Sequence, residues 1–222
     1  MSLLSSLRSE PDRKTGMLVD TLGIAPVVPV IVIEDGATAV PLARALCAGG
    51  LRAIEITLRT PQALDAIKAV AAEVEDAVVG AGTVLDARQY EEAVAAGARF
   101  IVSPGTTQEL LDAADASPVP MLPGAATASE VMALREEGYR VAKFFPAEQA
   151  GGAQYLKALA SPLAGTLFCP TGGISVSNAQ TYLSLPNVIC VGGSWVAPKD
   201  CIAAGDWPEI TRLAREASGL KA

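Results

Sequence analysis

Lys143 stands in the middle of the apolar run Tyr139-Arg-Val-Ala-Lys-Phe-Phe-Pro-Ala147. The run has strand character: at period two, Val141, Lys143 and Phe145 share one face, and Ala142 and Phe144 the other. An ammonium there is costly to bury unless it is paired, neutral or chemically used. Glu55 poses the matching question. It alternates with Ile54 and Ile56, which pack toward outer helices, so Ala53, Glu55 and Thr57 face the interior. A carboxylate is rarely buried without a partner. A Schiff-base lysine attacks as the neutral amine, whereas a free lysine, with a pKa of about 10.4, is almost wholly protonated at neutral pH. Burial or a cation such as Arg59 favours the neutral amine, and an anionic Glu55 opposes it. Two plainer readings use the same residues: an edge-strand lysine reaching solvent, or a Glu55 ion pair with Lys143 or Arg59 that only holds the fold together.

Composition narrows the chemistry. Of 222 residues, 50% are hydrophobic, which suits one domain with a substantial core. The net charge of -7 argues against nucleic acid or an anionic membrane as the main partner. It leaves room for an anionic substrate, because a few cations and amides can dominate one pocket. The chain contains 0 histidines. That removes the usual general base, the Ser-His and Cys-His nucleophile pairs, and the commonest zinc ligand. Acid–base work falls to Glu, Asp, Lys, Tyr or water, and no metal or cofactor is expected. Cys47, Cys169, Cys190 and Cys201 form no C-x-x-C pair and read as structural thiols in a reducing cytosol. The first sixteen residues are polar and mixed in charge, unlike a signal peptide. The longest apolar run, 24–33, contains Pro26 and Pro29 and is too short to span a bilayer. The expected location is therefore the cytoplasm.

The elements that must position these residues come from a regular alternation. Residues 1–15 read as an N-terminal arm or short helix, and 14–22 as a helix ending near Gly23. Strands are expected at 27–33, 53–57, 77–81, 100–103, 119–122, 141–145, 166–169 and 188–191. Helices are expected at 38–48, 61–74, 86–96, 107–115, 129–137, 153–160, 177–183 and 207–217. Eight strand–helix units in this length predict an α/β fold, a (β/α)8 TIM barrel spanning 16–222 as a single domain. An open doubly wound sheet is the alternative; no G-x-G-x-x-G opens a helix after the first strand.

In such barrels the active site lies at the C-terminal strand ends. The special residues collect there: Glu55, Thr57 and Arg59; Gly80 to Thr83; Ser103-Pro104-Gly105; Pro123-Gly124; Lys143 and Pro146; Pro170-Thr171-Gly172-Gly173; and Gly192-Gly193-Ser194. The last two glycine loops suit a phosphate, since glycine lets backbone N–H groups approach an anion and a helix starting near Ser175 would add its positive end. Tight turns without a ligand use the same residues.

Six segments taken together resemble a known family. Glu55-Ile-Thr-Leu-Arg-Thr, Gly80-Ala-Gly-Thr-Val, Ser103-Pro-Gly, Lys143-Phe-Phe-Pro-Ala, Pro170-Thr-Gly-Gly-Ile and Gly192-Gly-Ser-Trp are similar to the bacterial 2-keto-3-deoxy-6-phosphogluconate (KDPG) aldolases, also called 4-hydroxy-2-oxoglutarate (KHG) aldolases. The match runs from about Leu22 to Ala217 and leaves the N-terminal arm outside. The resemblance implies a metal-independent class I aldolase on a (β/α)8 barrel, a homotrimer with a small-molecule substrate. It assigns the Schiff base to Lys143 and general acid–base catalysis to Glu55. Arg59 and Thr83 would hold the pyruvate end, with Pro104 and Phe145 lining the pocket. Gly172, Gly173, Gly193 and Ser194 would form the phosphate site, with Thr171 a further substrate-binding candidate. The implied products are pyruvate with glyceraldehyde 3-phosphate, or with glyoxylate from the shorter acid. Another phosphate-binding barrel enzyme (an epimerase or phosphate synthase) and a non-catalytic sugar-phosphate sensor are the competing functions.

Overall fold

The computed structural model describes residues 13–220. Most of the expected arm, residues 1–12, lies outside the described residues. The elements run α1 (Arg13–Leu22), β1 (Val27–Ile31), a 3-10 turn (Gly36–Thr38), α2 (Ala39–Ala48), β2 (Ala53–Thr57), α3 (Ala63–Glu73), β3 (Val78–Gly82), α4 (Ala87–Ala95), β4 (Ile101–Val102) and α5 (Gln108–Ala116). They continue with β5 (Met121–Leu122), β6 (Gly124–Ala125), α6 (Ala128–Glu136), β7 (Val141–Phe144), α7 (Gly152–Leu159), β8 (Leu167–Pro170), α8 (Ala179–Leu183), β9 (Val191–Gly193), α9 (Lys199–Ala204) and α10 (Trp207–Ser218). Local chemistry sets several helix starts. Asp86, Thr107 and Asp206 each accept a bond from a first-turn amide, and Thr127 with Glu130 closes a capping box before α6.

All strand pairs are parallel, as the alternation requires. Six strands form one curled sheet in the order β5-β4-β3-β2-β1-β9, and β6-β7-β8 form a second. The expected strand at 119–122 is shortened to Met121–Leu122, and a further short strand, Gly124–Ala125, follows a break at Pro123, which has no N–H to donate. Its carbonyl still accepts from Lys143 N at 2.8 Å. The expected strand at 188–191 is displaced to Val191–Gly193, since Val188 N bonds back to Leu185 O in a turn. Val188 keeps a single bridge to Phe168, and Thr171 bridges Gly192. The strand from 27 stops at Ile31, and α9 is an element the periodicity did not anticipate. Gly205, at φ 66°, ends α9 in the left-handed conformation and separates it from α10.

Period two sorts the strand side chains into two cores. Outward residues such as Ile54, Ile56, Val79, Ile101, Ala142 and Phe168 pack with the helices in one large cluster. Inward residues, among them Val28, Phe100, Val102, Leu122, Val141, Leu167 and Cys169, form a second, separate cluster. Helix α1 joins that inner cluster through Leu18, Val19 and Leu22. Its neighbours Val141 and Leu167 begin β7 and β8, so α1 covers the N-terminal ends of the strands. Leu22 is fully buried. Leu22→Ala should therefore lower stability by about 2–5 kcal/mol in urea denaturation; a change below about 1 kcal/mol would mean that α1 is not integral to the core.

Candidate active site

β2 and β7 bring the two buried charges together. Glu55 and Lys143 are 3% and 4% exposed, and Lys143 Nζ donates to Glu55 Oε1 at 3.2 Å. Their inward orientation follows from strand period: Ile54 and Ile56 lie in the outer core, as do Ala142 and Phe144. The edge-strand lysine reaching solvent is thereby excluded. Lys143 Nζ also lies 5.4 Å from the centroid of the Phe145 ring, within range of a cation–π attraction.

Room for this pair comes from β3. Both of its inward positions beyond Val78 are glycine. A Cβ at Gly80 would meet the Phe100 ring at 2.5 Å, and one at Gly82 would meet Glu55 Oε1 at 2.0 Å. Gly82 thus yields its side-chain volume to the Glu55 carboxylate. Just beyond it, Thr83 has φ 59°, an unusual conformation for a β-branched residue that costs about 1–3 kcal/mol. Its Oγ1 accepts a bond from Arg59 Nε at 3.2 Å. The strained loop after β3 therefore fixes a guanidinium beside the strand ends.

A cavity of about 710 Å³ opens at the same ends. Arg59, Phe145, Thr171, Gly172, Gly173, Gly193 and Ser194 all line it. Glu55, Lys143, Thr83 and Pro104 do not. Lys143 is near Phe145, and Thr83 is bonded to Arg59, both of which do line it. Pro104 packs its backbone over Gly124, where a Cβ would come within 2.3 Å of it, and Gly124 is the register partner of Lys143. Pro104 thus sits one strand away from the lysine.

The glycine rim differs in detail from the sequence reading. Gly172 and Gly173 have φ of 100° and 77°, a turn that favours glycine. A Cβ at Gly173 would meet Glu148 Cγ at 2.6 Å, and Tyr182 donates its hydroxyl hydrogen to Glu148. Burial, reinforced by that carboxylate, raises the Tyr182 pKa. Gly192 makes way for Thr171 Oγ1 and Gly193 for the Trp195 ring. These glycines serve internal packing; Gly173 is also exposed, whereas Gly192 and Gly193 are buried. The helix expected to start near Ser175 begins only at Ala179, because Ser175 N bonds to Asn178 Oδ1 at 2.8 Å in a preceding turn. Asn178 Nδ2 also donates to Gly173 O at 3.0 Å and braces the loop.

Sequence reasoning missed Glu148 and Lys199, neither of which carried a signal. Gly82 and Trp195 stood inside the quoted motifs without a role of their own; for Gly82 the signal was two glycines at period two on an inward strand face, which marks close approach. Among the described residues, no group of three or more His, Cys, Asp or Glu side chains is placed to hold a metal ion.

Gly82→Ala should destabilise the fold by about 1–3 kcal/mol through overpacking. In a Glu55→Ala background the same change should cost much less, because the colliding atoms are Glu55 Cγ, Cδ and Oε1. A thermodynamic cycle by chemical denaturation checks this, and additive losses would refute the coupling.

The chain is similar to known proteins over most of its length. The family model described as KDPG and KHG aldolase matches residues 19–213. The KHG/KDPG aldolase of Escherichia coli strain K12 is 53% identical over 196 residues, covering 88% of this chain and 92% of that protein. The fold is similar to a KDPG aldolase from Legionella pneumophila, solved with pyruvate captured at low pH as a covalent carbinolamine intermediate. That likeness has a TM-score of 0.89 and 47% identity, covering 90% of this chain and 98% of that one. It is also similar to the 2-keto-3-deoxy-6-phosphogluconate aldolase of Zymomonas mobilis ZM4 with 3-phosphoglycerate, at TM-score 0.87 and 49% identity, covering 97% of each chain. With that extent of agreement in sequence and fold, the chain belongs to the KDPG and KHG aldolase family.

Proposed function

We propose that the protein is a metal-independent class I aldolase, a carbon–carbon lyase. It cleaves 2-keto-3-deoxy-6-phosphogluconate to pyruvate and glyceraldehyde 3-phosphate, and 4-hydroxy-2-oxoglutarate to pyruvate and glyoxylate. The observation that carries this reading is the buried 3.2 Å contact between Lys143 Nζ and Glu55 Oε1. Transfer of one proton across that contact leaves an amine nucleophile and a carboxylic acid, and removes two charges from a dry site. The pyruvate carbinolamine in the Legionella relative and the names of the relatives support the same chemistry. An epimerase, phosphate synthase or sugar-phosphate sensor would use the glycine rim and leave the buried pair without a task.

In this mechanism the Lys143 amine attacks C2 of the keto acid. Glu55 gives its proton to the carbinolamine hydroxyl, which leaves as water; an iminium and a Glu55 carboxylate remain. Glu55, directly or through water, takes the proton of the C4 hydroxyl. The C3–C4 bond breaks, its electron pair flows into the iminium, and the aldehyde departs from an enamine rather than an unstabilised carbanion. Protonation at C3 and hydrolysis release pyruvate and restore the lysine. Arg59, held by Thr83, neutralises the pyruvate carboxylate through its planar fork. Phe145 and Pro104 shape the pocket wall. Thr171, Gly172, Gly173, Gly193 and Ser194 bind the distal phosphate, supported by their common place around the cavity and by the 3-phosphoglycerate in the Zymomonas relative.

The wider reading has its own supports. The two sheets form one closed (β/α)8 barrel, as the bridges from β8 toward β9 and the continuity of β5 with β6 suggest. Residues 16–222 make a single domain preceded by an arm, and three copies assemble as the family resemblance implies. The four free thiols fit a reducing cytoplasm. Among the described residues, no helix is long and apolar enough to cross a membrane.

Pyruvate with borohydride should leave a stable adduct on Lys143, read by intact-mass and peptide mass spectrometry; active protein without it would end the Schiff-base assignment. Lys143→Arg should be inactive, because a guanidinium stays protonated. Glu55→Gln should still trap pyruvate yet lose about 10²–10⁴ of the methyl-proton exchange rate. Near-normal exchange would return Glu55 to a purely structural role.

Ser194 tests the phosphate site, since any side chain at Gly173 strains the backbone and meets Glu148. Ser194→Ala should cost about 1.5–3 kcal/mol in kcat/KM for the phosphorylated acid and far less for 4-hydroxy-2-oxoglutarate. Equal losses in steady-state assays would mean that the rim shapes the fold only.

A further inference from the structure

Lys199 also lines the cavity, together with the glycine rim. With Arg59 it is one of two cations in the lining, and Arg59 is engaged by Thr83. Lys199 opens α9, in the segment after β9, and its Nζ donates to Glu34 Oε1 at 2.8 Å. Glu34 lies in the loop after β1, the neighbour of β9. The pair therefore joins two adjacent loops at the cavity mouth. Both side chains are largely in solvent, at 78% and 68% exposure. The hydrogen bond and charge of Glu34 raise the Lys199 pKa, so the amine stays cationic throughout the neutral range. An exposed pair of this kind holds its partners weakly. A phosphate monoester carries up to two charges and three acceptor oxygens, so it competes well with one solvated carboxylate.

We propose that Lys199 is a specificity-determining residue: it exchanges Glu34 for the distal phosphate of the substrate at the cavity mouth. This inference rests on the aldolase reading for the identity of the substrate but not for the presence of the anion site. Glu34 acts as the resting partner of the lysine and as a competitor. A substrate without the distal phosphate gains nothing from the exchange, because it cannot displace the carboxylate. The lysine therefore raises the preference for phosphorylated over unphosphorylated acids of equal length.

The experiment compares kcat/KM for 2-keto-3-deoxy-6-phosphogluconate and for the same six-carbon acid lacking phosphate, in wild type, Lys199→Met and Glu34→Gln. In Lys199→Met the ratio of the two values should fall about tenfold, the scale of one lost hydrogen bond to a charged oxygen. In Glu34→Gln the ratio should rise. Calorimetric titration with inorganic phosphate provides the second measurement. Binding should weaken about tenfold in Lys199→Met and tighten in Glu34→Gln. Added salt should weaken phosphate binding more in wild type than in Lys199→Met. An unchanged ratio with unchanged phosphate binding in Lys199→Met overturns the proposal. Weaker phosphate binding in Glu34→Gln also overturns it, since Glu34 would then support the anion rather than compete. If wild type cleaves neither acid yet phosphate binding depends on Lys199, the aldolase reading fails and the anion site stands.

Discussion

A carboxylate and an ammonium held 3.2 Å apart inside a strand layer are the constraint that organises this molecule. Each charge alone would be strongly destabilising where it lies, and together they still need space and suitable neighbours. Gly82 gives up its side chain so that Glu55 fits. Phe145 places an aromatic face near the ammonium. The backbone of β7 is tied across Pro123, whose carbonyl accepts from Lys143 N even though its ring nitrogen cannot donate. The residues around the pair are small, aromatic or apolar, and they leave the two charged groups mainly to each other.

Recognition is assigned to a different layer from chemistry. Neither member of the pair lines the cavity, whose wall is made by the end of β1, by Phe145 after β7, and by the segments after β2, β8 and β9. Those loops are braced internally: Asn178 holds the Gly173 carbonyl, Tyr182 holds Glu148, and Trp195 lies against Gly193. The inner thiols take no evident part. Cys190 is fully buried, and its hydrogen bond with Cys169, together with burial, raises its pKa, which leaves an inert thiol. Such a division lets rim residues vary in affinity for a substrate tail without disturbing the groups that break the bond.

Much of this was legible from residue order because strand geometry has so simple a period. Alternation placed Glu55 and Lys143 inward and their neighbours outward, and the positions of β2 and β7 followed from β-branched and aromatic runs. What stayed hidden depended on contacts remote in sequence. Nothing near Thr83 announced a left-handed threonine, because that conformation is held by the loop's surroundings rather than by local preference. The split at Pro123 was readable in principle, since proline cannot donate to a ladder. The late start of α8 was not, because it turns on one Asn178 side chain competing with helix for the Ser175 amide. Lys199 gave no signal, since its meaning comes from Glu34, 165 positions away.

The seating of α1 under the inner cluster has a further consequence. Leu18, Val19 and Leu22 close the end where the strands begin, and the cavity opens at the opposite end. The proposed reaction has two products, and its covalent intermediate orders their departure: the aldehyde fragment leaves first, while the other fragment remains bonded to Lys143. Water for the final hydrolysis then enters through the passage that the first product has vacated. With α1 packed against the strand starts, the cavity at their opposite ends would serve both products of that reaction.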